Sequence, residues 1–251
     1  MIVVHRLVKR FGPKFVLRQL EFQVAEGEFV ALLGPNGAGK TTFLRILSSL
    51  SRPTLGEVSI AGFHLPGQAA AVRRRIGVVS HLPLMYGDLT AEENLRFYGR
   101  MYGVPALDRR ISEVLELVDL STRRRDLVRT FSRGMQQRLA IGRAVLHDPE
   151  VLLLDEPHTG LDQDACIMLD DVLRQVAARG RTVVMTSHDL ARAADLATRF
   201  DVLARGVIQA SISGRDLPQD GLLAFYRKTL EKSNPVKKIA QPAAHGEGGP
   251  A

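Results

Sequence analysis

The sequence predicts an α/β fold with a mostly parallel β-sheet covered on both faces. Two observations carry this. Short apolar β-type runs recur at residues 2–7, 29–33, 57–60, 76–79, 151–154, 182–186, 201–203 and 207–212, the lengths of buried strands. Helical patterns separate the later runs, the alternation a parallel sheet requires, because a crossover must carry the chain back between parallel neighbours. At 251 residues the chain is sized for one domain, or one domain with a subdomain.

The first run, within MIVVHRLVKRF, reads as a strand and not as a secretory leader, because its apolar stretch is short and basic residues follow it. FVALL at 29–33 leads into GPNGAGKT at 34–41, and residues 40–50 read as the next helix. From about 88 to 148 the strand signal disappears. Thr90-Ala91-Glu92-Glu93 is a capping box opening a helix that stops near Gly103. Ile111, Val114, Leu115 and Val118 mark a second amphipathic helix, and residues 131–147 a third. This all-helical stretch reads as a subdomain inserted in the α/β core. Residues 164–179 give a further helix, with Met168, Leu169, Val172, Leu173 and Val176 on one face and Gly180 at its C-terminal end. The core is assigned to residues 1–222. Residues 223–251 are read as a tail, first basic and then Pro/Gly/Ala-rich, with a disordered end.

Four stretches carry chemistry. GPNGAGKT matches G-x-x-x-x-G-K-[ST] in full and lies between a buried strand and a helix, the context of a phosphate-binding P-loop. Glycines there let backbone N–H groups face phosphate oxygens, and the helix N-terminus adds its dipole. Lys40 then reaches the β- and γ-phosphates, and the Thr41 hydroxyl is placed for Mg²⁺. The second stretch, VLLLDEP, is a buried strand ending in two acids: Asp155 is assigned to the metal and Glu156 to the attacking water as general base. In the third, TFSRGMQQRL, Ser132 reads as an N-cap with Gly134 close behind, an anion site or simply an ordinary capped helix. The fourth, VVMTSH, ends a strand on His188, which can reach the same crevice at the carboxyl ends of the strands.

Bulk properties narrow the classes. The net charge is +7, with arginine clusters at 73–75 and 123–125 that suit nucleic acid, anionic lipid, phosphates or merely a solvated face. No aromatic residues alternate with them as base-stacking platforms, so no nucleic-acid partner is expected. No apolar run approaches the ~18 residues of a membrane span. The single cysteine, Cys166, cannot form an internal disulfide and reads as a packing residue.

Taken in order, the four stretches resemble the nucleotide-binding subunit of ABC transporters over about residues 1–215. Residues 34–42 match the Walker A loop, residues 151–156 the Walker B strand with its catalytic glutamate, Ser132-Arg133-Gly134-Met135 the signature, Leu161-Asp162 the D-loop and His188 the switch histidine. The resemblance implies a P-loop NTPase fold with an N-terminal antiparallel β portion and an inserted helical subdomain. It implies ATP and Mg²⁺ as cofactors. Gly34, Pro35, Asn36, Gly37, Ala38, Gly39, Lys40, Thr41 and Thr42 would bind ATP, with Phe11 stacked on adenine. Ser132, Gly134 and Asp162 would act in trans, closing on ATP held by a second ATP-binding subunit. It further implies an ATPase driving export through a separate transmembrane subunit, contacted by the helical insert and the loop after residues 76–79. The chain would sit at the cytoplasmic face of the membrane and touch the membrane only through that partner.

Two positions depart from the pattern. The signature reads S-R-G-M where S-G-G-Q is usual, and His81 stands where glutamine is usual. A neutral imidazole at 81 can accept a hydrogen bond from metal-bound water or reach the metal itself. His81 followed by DLTAEENLRFYGRMYG is similar to the heme-exporter ATPases of cytochrome c maturation. Heme is therefore one expected cargo, beside a drug, lipid or polysaccharide.

Overall fold

The computed structural model describes residues 1–80 and 84–233. Its strands fall into two sheets. One is antiparallel, ordered β2-β1-β4-β5, from β1 (Ile2–Phe11), β2 (Lys14–Val24), β4 (Leu55–Ile60) and β5 (Phe63–Leu65). The other is ordered β10-β9-β3-β8-β7-β6, from β3 (Phe29–Leu33), β6 (Ile76–Val79), β7 (Val151–Asp155), β8 (Thr182–Thr186), β9 (Arg199–Ala204) and β10 (Val207–Ser213). Within it every neighbouring pair is parallel except β9 with β10.

The central strands are apolar throughout because both of their faces are covered. Phe29, Ala31 and Leu33 of β3 face one core with Leu152 and Leu154 of β7. Val30 and Leu32 face the other with Val151 and Leu153. The second core fills the space between the sheets, where Phe22 of β2 meets Phe43 edge-to-face at 5.1 Å. The turn between β9 and β10 reaches the antiparallel sheet, where the Arg18 N–H donates to the Gly206 carbonyl at 2.9 Å.

Helices α1 (Lys40–Leu47), α2 (Ala69–Arg75), α6 (Gln163–Ala178), α7 (Leu190–Leu196) and α8 (Gly221–Ser233) belong to the core. The expected insert is α3 (Ala91–Tyr102), α4 (Leu107–Leu117) and α5 (Arg133–Val145). Both arms of the Thr90–Glu93 capping box form, and Gly103 ends α3 in the left-handed conformation. Glu92 ties the insert together: hydrogen bonds from Arg124, and then from Arg96, lower its carboxyl pKa to about 2.

Three expectations need correction. Strands β2 and β5 arise where no apolar run marked them, because β2 buries only alternate residues and keeps the rest in water. Met168 is 39% exposed, because the 3.6-residue period turns it away from the buried face of Leu169, Val172, Leu173 and Val176. The tail does not begin at 223: residues through Ser233 continue α8, which packs on α7, β9 and β10 and buries Leu222 and Thr229.

Gly77 of β6 sets how closely the insert meets the core. A Cβ there would lie 2.2 Å from the backbone oxygen of Ala144 on α5. Gly77→Ala is expected to destabilise the fold by about 1–3 kcal/mol, since backbone and not a flexible side chain must move. A urea midpoint equal to that of the parent protein would contradict this.

A candidate active site at the strand ends

The site forms where β3, β7 and β8 end side by side. β3 stops at Leu33, and the glycine-rich loop turns the chain into α1. Gly39 takes φ 110°, and a Cβ there would lie 2.9 Å from Leu17 Cδ2 of β2, so the turn tolerates no side chain. Helix α1 opens with no side-chain cap and no acid in its first turn, which leaves its N–H groups and dipole open to an anion.

Lys40 is only 6% exposed, and its Nζ donates to the Gly34 carbonyl at 2.6 Å. Burial pushes its pKa below the ordinary lysine value, while the nearby carboxylates of Glu156 and Asp155 act in the opposite direction. The nearest carboxylate oxygen is Glu156 Oε1, at 3.8 Å. A buried cation held by the Gly34 and Pro35 carbonyls and one distant carboxylate is electrostatically short of negative charge, which phosphate supplies.

Asp155 closes β7. Its Oδ1 accepts from Thr186 Oγ1 at 2.8 Å and from Thr41 Oγ1 at 3.3 Å. Glu156 follows with φ 49°, a backbone region that non-glycine residues seldom occupy. Its N–H donates to Thr186 Oγ1 at 2.9 Å, and its Oε2 lies 3.3 Å from His188 Nδ1. Thr186 thus fixes both acids with one hydroxyl. The sequence reading passed over it, although a threonine ending a buried strand needs a polar partner, and that was the signal.

A cavity of about 660 Å³ opens here, lined by residues 35–42 and Glu156. Lys14, Phe15, Val16 and Arg18 of β2 and the Arg205-Gly206 turn complete its wall. Gly34 contributes its carbonyl to Lys40. Phe11, expected to stack on adenine, is not among the lining residues; its ring is 55% exposed beneath Lys9 Nζ, 4.8 Å from the centroid. Phe15, across the same hairpin, is the aromatic ring at the cavity.

Ser132, Gly134 and Asp162 lie apart from this cavity. Ser132 caps α5 and Asp162 caps α6, and a Cβ on Gly134 would lie 2.7 Å from Ala165 Cβ, so the two helix starts touch. Arg133 lies across the same contact, its guanidinium over the Gly160 backbone, where a Cβ would sit 2.3 Å from Nη1. Asp162 lines a second recess of about 380 Å³ together with Glu156 and His188. His81 lies outside the described residues.

The donor set fits a hard cation. The Thr41 hydroxyl and Asp155 carboxylate share one hydrogen bond, and Mg²⁺ asks for only one or two protein oxygens beside phosphate and water. Among the described residues no group of three or more His, Cys, Asp or Glu side chains could hold a metal independently of a ligand.

Known proteins resemble this chain over most of its length. The chain is 35% identical over 219 residues to the linearmycin resistance ATP-binding protein LnrL of Bacillus subtilis, covering 86% of this chain and 70% of that protein. It is 41% identical over 200 residues to the Nod factor export ATP-binding protein I of Burkholderia lata, covering 79% of this chain and 66% of that one. A solved dimeric structure of the ATP-binding cassette MJ0796, in a post-hydrolysis state with ADP and Pi, superposes with a TM-score of 0.78 at 28% identity. That match covers 86% of this chain and all of the other. Residues 17–159 match the protein family described as ABC transporter, and with these folds and motifs together, the chain belongs to the ABC transporter family as one of its ATP-binding domains.

Proposed function

We propose that this chain binds and hydrolyses Mg-ATP to drive export through a separate transmembrane subunit. The observation that carries the proposal is the meeting of Lys40, Thr41, Asp155, Glu156 and His188 at the ends of β3, β7 and β8. Backbone N–H groups of the loop at 34–39 and the start of α1 hold the phosphates, and Lys40 supplies the buried cation. Thr41 and Asp155 hold Mg²⁺, which when bound neutralises charge on the β- and γ-phosphates. Glu156 accepts the proton of the attacking water, and His188 fixes the orientation of its carboxylate. Phe15 and Val16 offer the apolar wall for the base, and Phe11 serves only if the hairpin tip folds inward.

Ser132, Gly134 and Asp162 close on ATP held by a second copy. Their grouping away from Lys40 supports this, as does the dimeric cassette that shares the fold. The coupling role expected of His81 rests on the sequence resemblance alone. A groove of about 210 Å³ between the insert and the core, lined by Leu50, Leu84, Tyr98, Tyr102, Arg143 and His147, supports docking of the transmembrane subunit. Exposed Phe97 and Tyr86 adjoin it through edge-to-face contacts of Phe97 with Tyr98 and with Tyr86, and Met101, beside Tyr102 on α3, is exposed as well. Among the described residues no helix is long and apolar enough to cross a membrane. The relatives' names speak of Nod factor export and linearmycin resistance, so the expectation of heme as cargo finds no support in them. The proposed place is the cytoplasmic face of the membrane.

Within the two basic clusters, Arg75 pairs with Glu150, Arg123 with Asp126 and Arg124 with Glu92.

Copurification tests the proposal. The protein is expected to sediment with membranes and to bring down a multi-span subunit. Leu50→Glu and Met101→Glu, at positions 67% and 69% exposed, are expected to release it from membranes and leave basal ATP hydrolysis unchanged. Membrane retention equal to that of the parent protein would refute the docking surface.

A further inference from the structure

Behind Glu156 and His188 lies a buried polar chain that their assigned roles do not use. His158, two residues after Glu156, is 9% exposed, and its Nε2 lies 2.7 Å from Asp170 Oδ1. Asp170 belongs to α6, is 7% exposed, and accepts from Arg192 Nη1 of α7 on its other oxygen, also at 2.7 Å. The Arg192 backbone N–H donates to Asp189 Oδ1 at 3.1 Å, its guanidinium Nε lies 3.4 Å from Asp189 Oδ2, and Asp189 directly follows His188. Burial alone would raise the Asp170 pKa, but hydrogen bonds from His158 and Arg192 overcome this and bring it below its ordinary value, so the carboxylate is a paired anion.

This chain begins and ends beside the two catalytic loops. At the front of the 380 Å³ recess the loops touch through Glu156 and His188, at 3.3 Å. At the back they are joined through His158, Asp170, Arg192 and Asp189. The φ of 49° at Glu156 is a strained conformation that persists only when its surroundings hold it. The Thr186 hydroxyl fixes its N–H on one side, and His158 anchors the chain two residues on. Asp170 also stands two helical turns beyond Asp162, so the same anchor sets the start of α6.

We infer that His158 is a positioning residue, which through Asp170 and Arg192 keeps the loop carrying Glu156 in register with the loop carrying His188. This rests on the hydrolytic roles proposed above for those two residues.

A pair of near-isosteric replacements separates the role from general stability. The amide nitrogen of Gln can take the place of Nε2 and donate to Asp170, whereas that of Asn takes the place of Nδ1 and cannot reach it. His158→Gln is expected to keep kcat for ATP within about twofold. His158→Asn is expected to lose about tenfold or more in kcat with KM for ATP unchanged, as misplacing a catalytic group does. Arg192→Leu is expected to lower kcat similarly, with little further loss when combined with His158→Asn. Equal kcat for the Gln and Asn variants, whether both intact or both impaired, would overturn the inference, as would a loss in the Asn variant carried by KM. Glu156→Gln, assayed in parallel, separates the two levels. If it still turns over, the hydrolytic roles fail; if it is inactive while His158→Asn is not, the positioning role fails alone.

Discussion

Glu156→Gln is expected to bind ATP, to lose at least a hundredfold in turnover, and to accumulate as a dimer with nucleotide bound. A general base contributes about 10²- to 10⁴-fold, and the amide of glutamine has no basic oxygen with which to take the proton. It keeps the carboxylate's shape, so the contacts that place residue 156 against Thr186 and His188 survive. The phosphate-binding loop and Lys40 are untouched, so binding is preserved while the chemical step is removed. ATP holding two copies together then has no route to cleavage. Gel filtration with labelled ATP checks this. A monomer hydrolysing at the parent rate would refute the assignment of Glu156.

Lys40→Ala is expected to lower ATP affinity by at least tenfold, and to do so at little cost to the nucleotide-free fold. Charge-assisted hydrogen bonds contribute about 1.5–3 kcal/mol, which corresponds to roughly 10- to 150-fold in affinity. Without nucleotide the ammonium is buried against the Gly34 and Pro35 carbonyls with a carboxylate 3.8 Å away, and burial already lowers its pKa. Glu156, that carboxylate, is 27% exposed and stays solvated when the ammonium is removed, so the cost is small. The thermal midpoint without nucleotide is therefore expected to stay close to that of the parent, while the rise on adding ATP is lost. A full ATP-induced shift in the variant would show that Lys40 does not hold phosphate.

The site was legible where chemistry is written in adjacent residues. The loop at 34–41 and the acids at 155 and 156 sit where their strands end, because a buried apolar run followed by polar residues has little freedom about where it stops. Contacts between distant residues were not legible. His158 looked like one polar residue in a loop, since its partners Asp170 and Arg192 lie 12 and 34 positions further along and only the packing of α6 on α7 unites them. Phe15 escaped notice because hairpin register, and not composition, decides which ring of the pair Phe11 and Phe15 meets the cavity. Strand β2 was hidden by its charged alternate positions, and β1 pairs with it through several register shifts that blur any simple period. The start of α8 was hidden for a related reason: few of its residues are buried, so its apolar face is faint.

The wall of the 660 Å³ cavity is drawn from three stretches far apart in sequence, near residues 14–18, 35–42 and 205–206. The Arg18–Gly206 hydrogen bond ties the first of them to the last. A nucleotide seated there acts as mortar between the two sheets. At a thousand times its dissociation constant it adds about 4 kcal/mol of stability, a large share of what an ordinary domain possesses. The cellular ATP supply is then part of what holds this protein together, and its emptied form is its most fragile one.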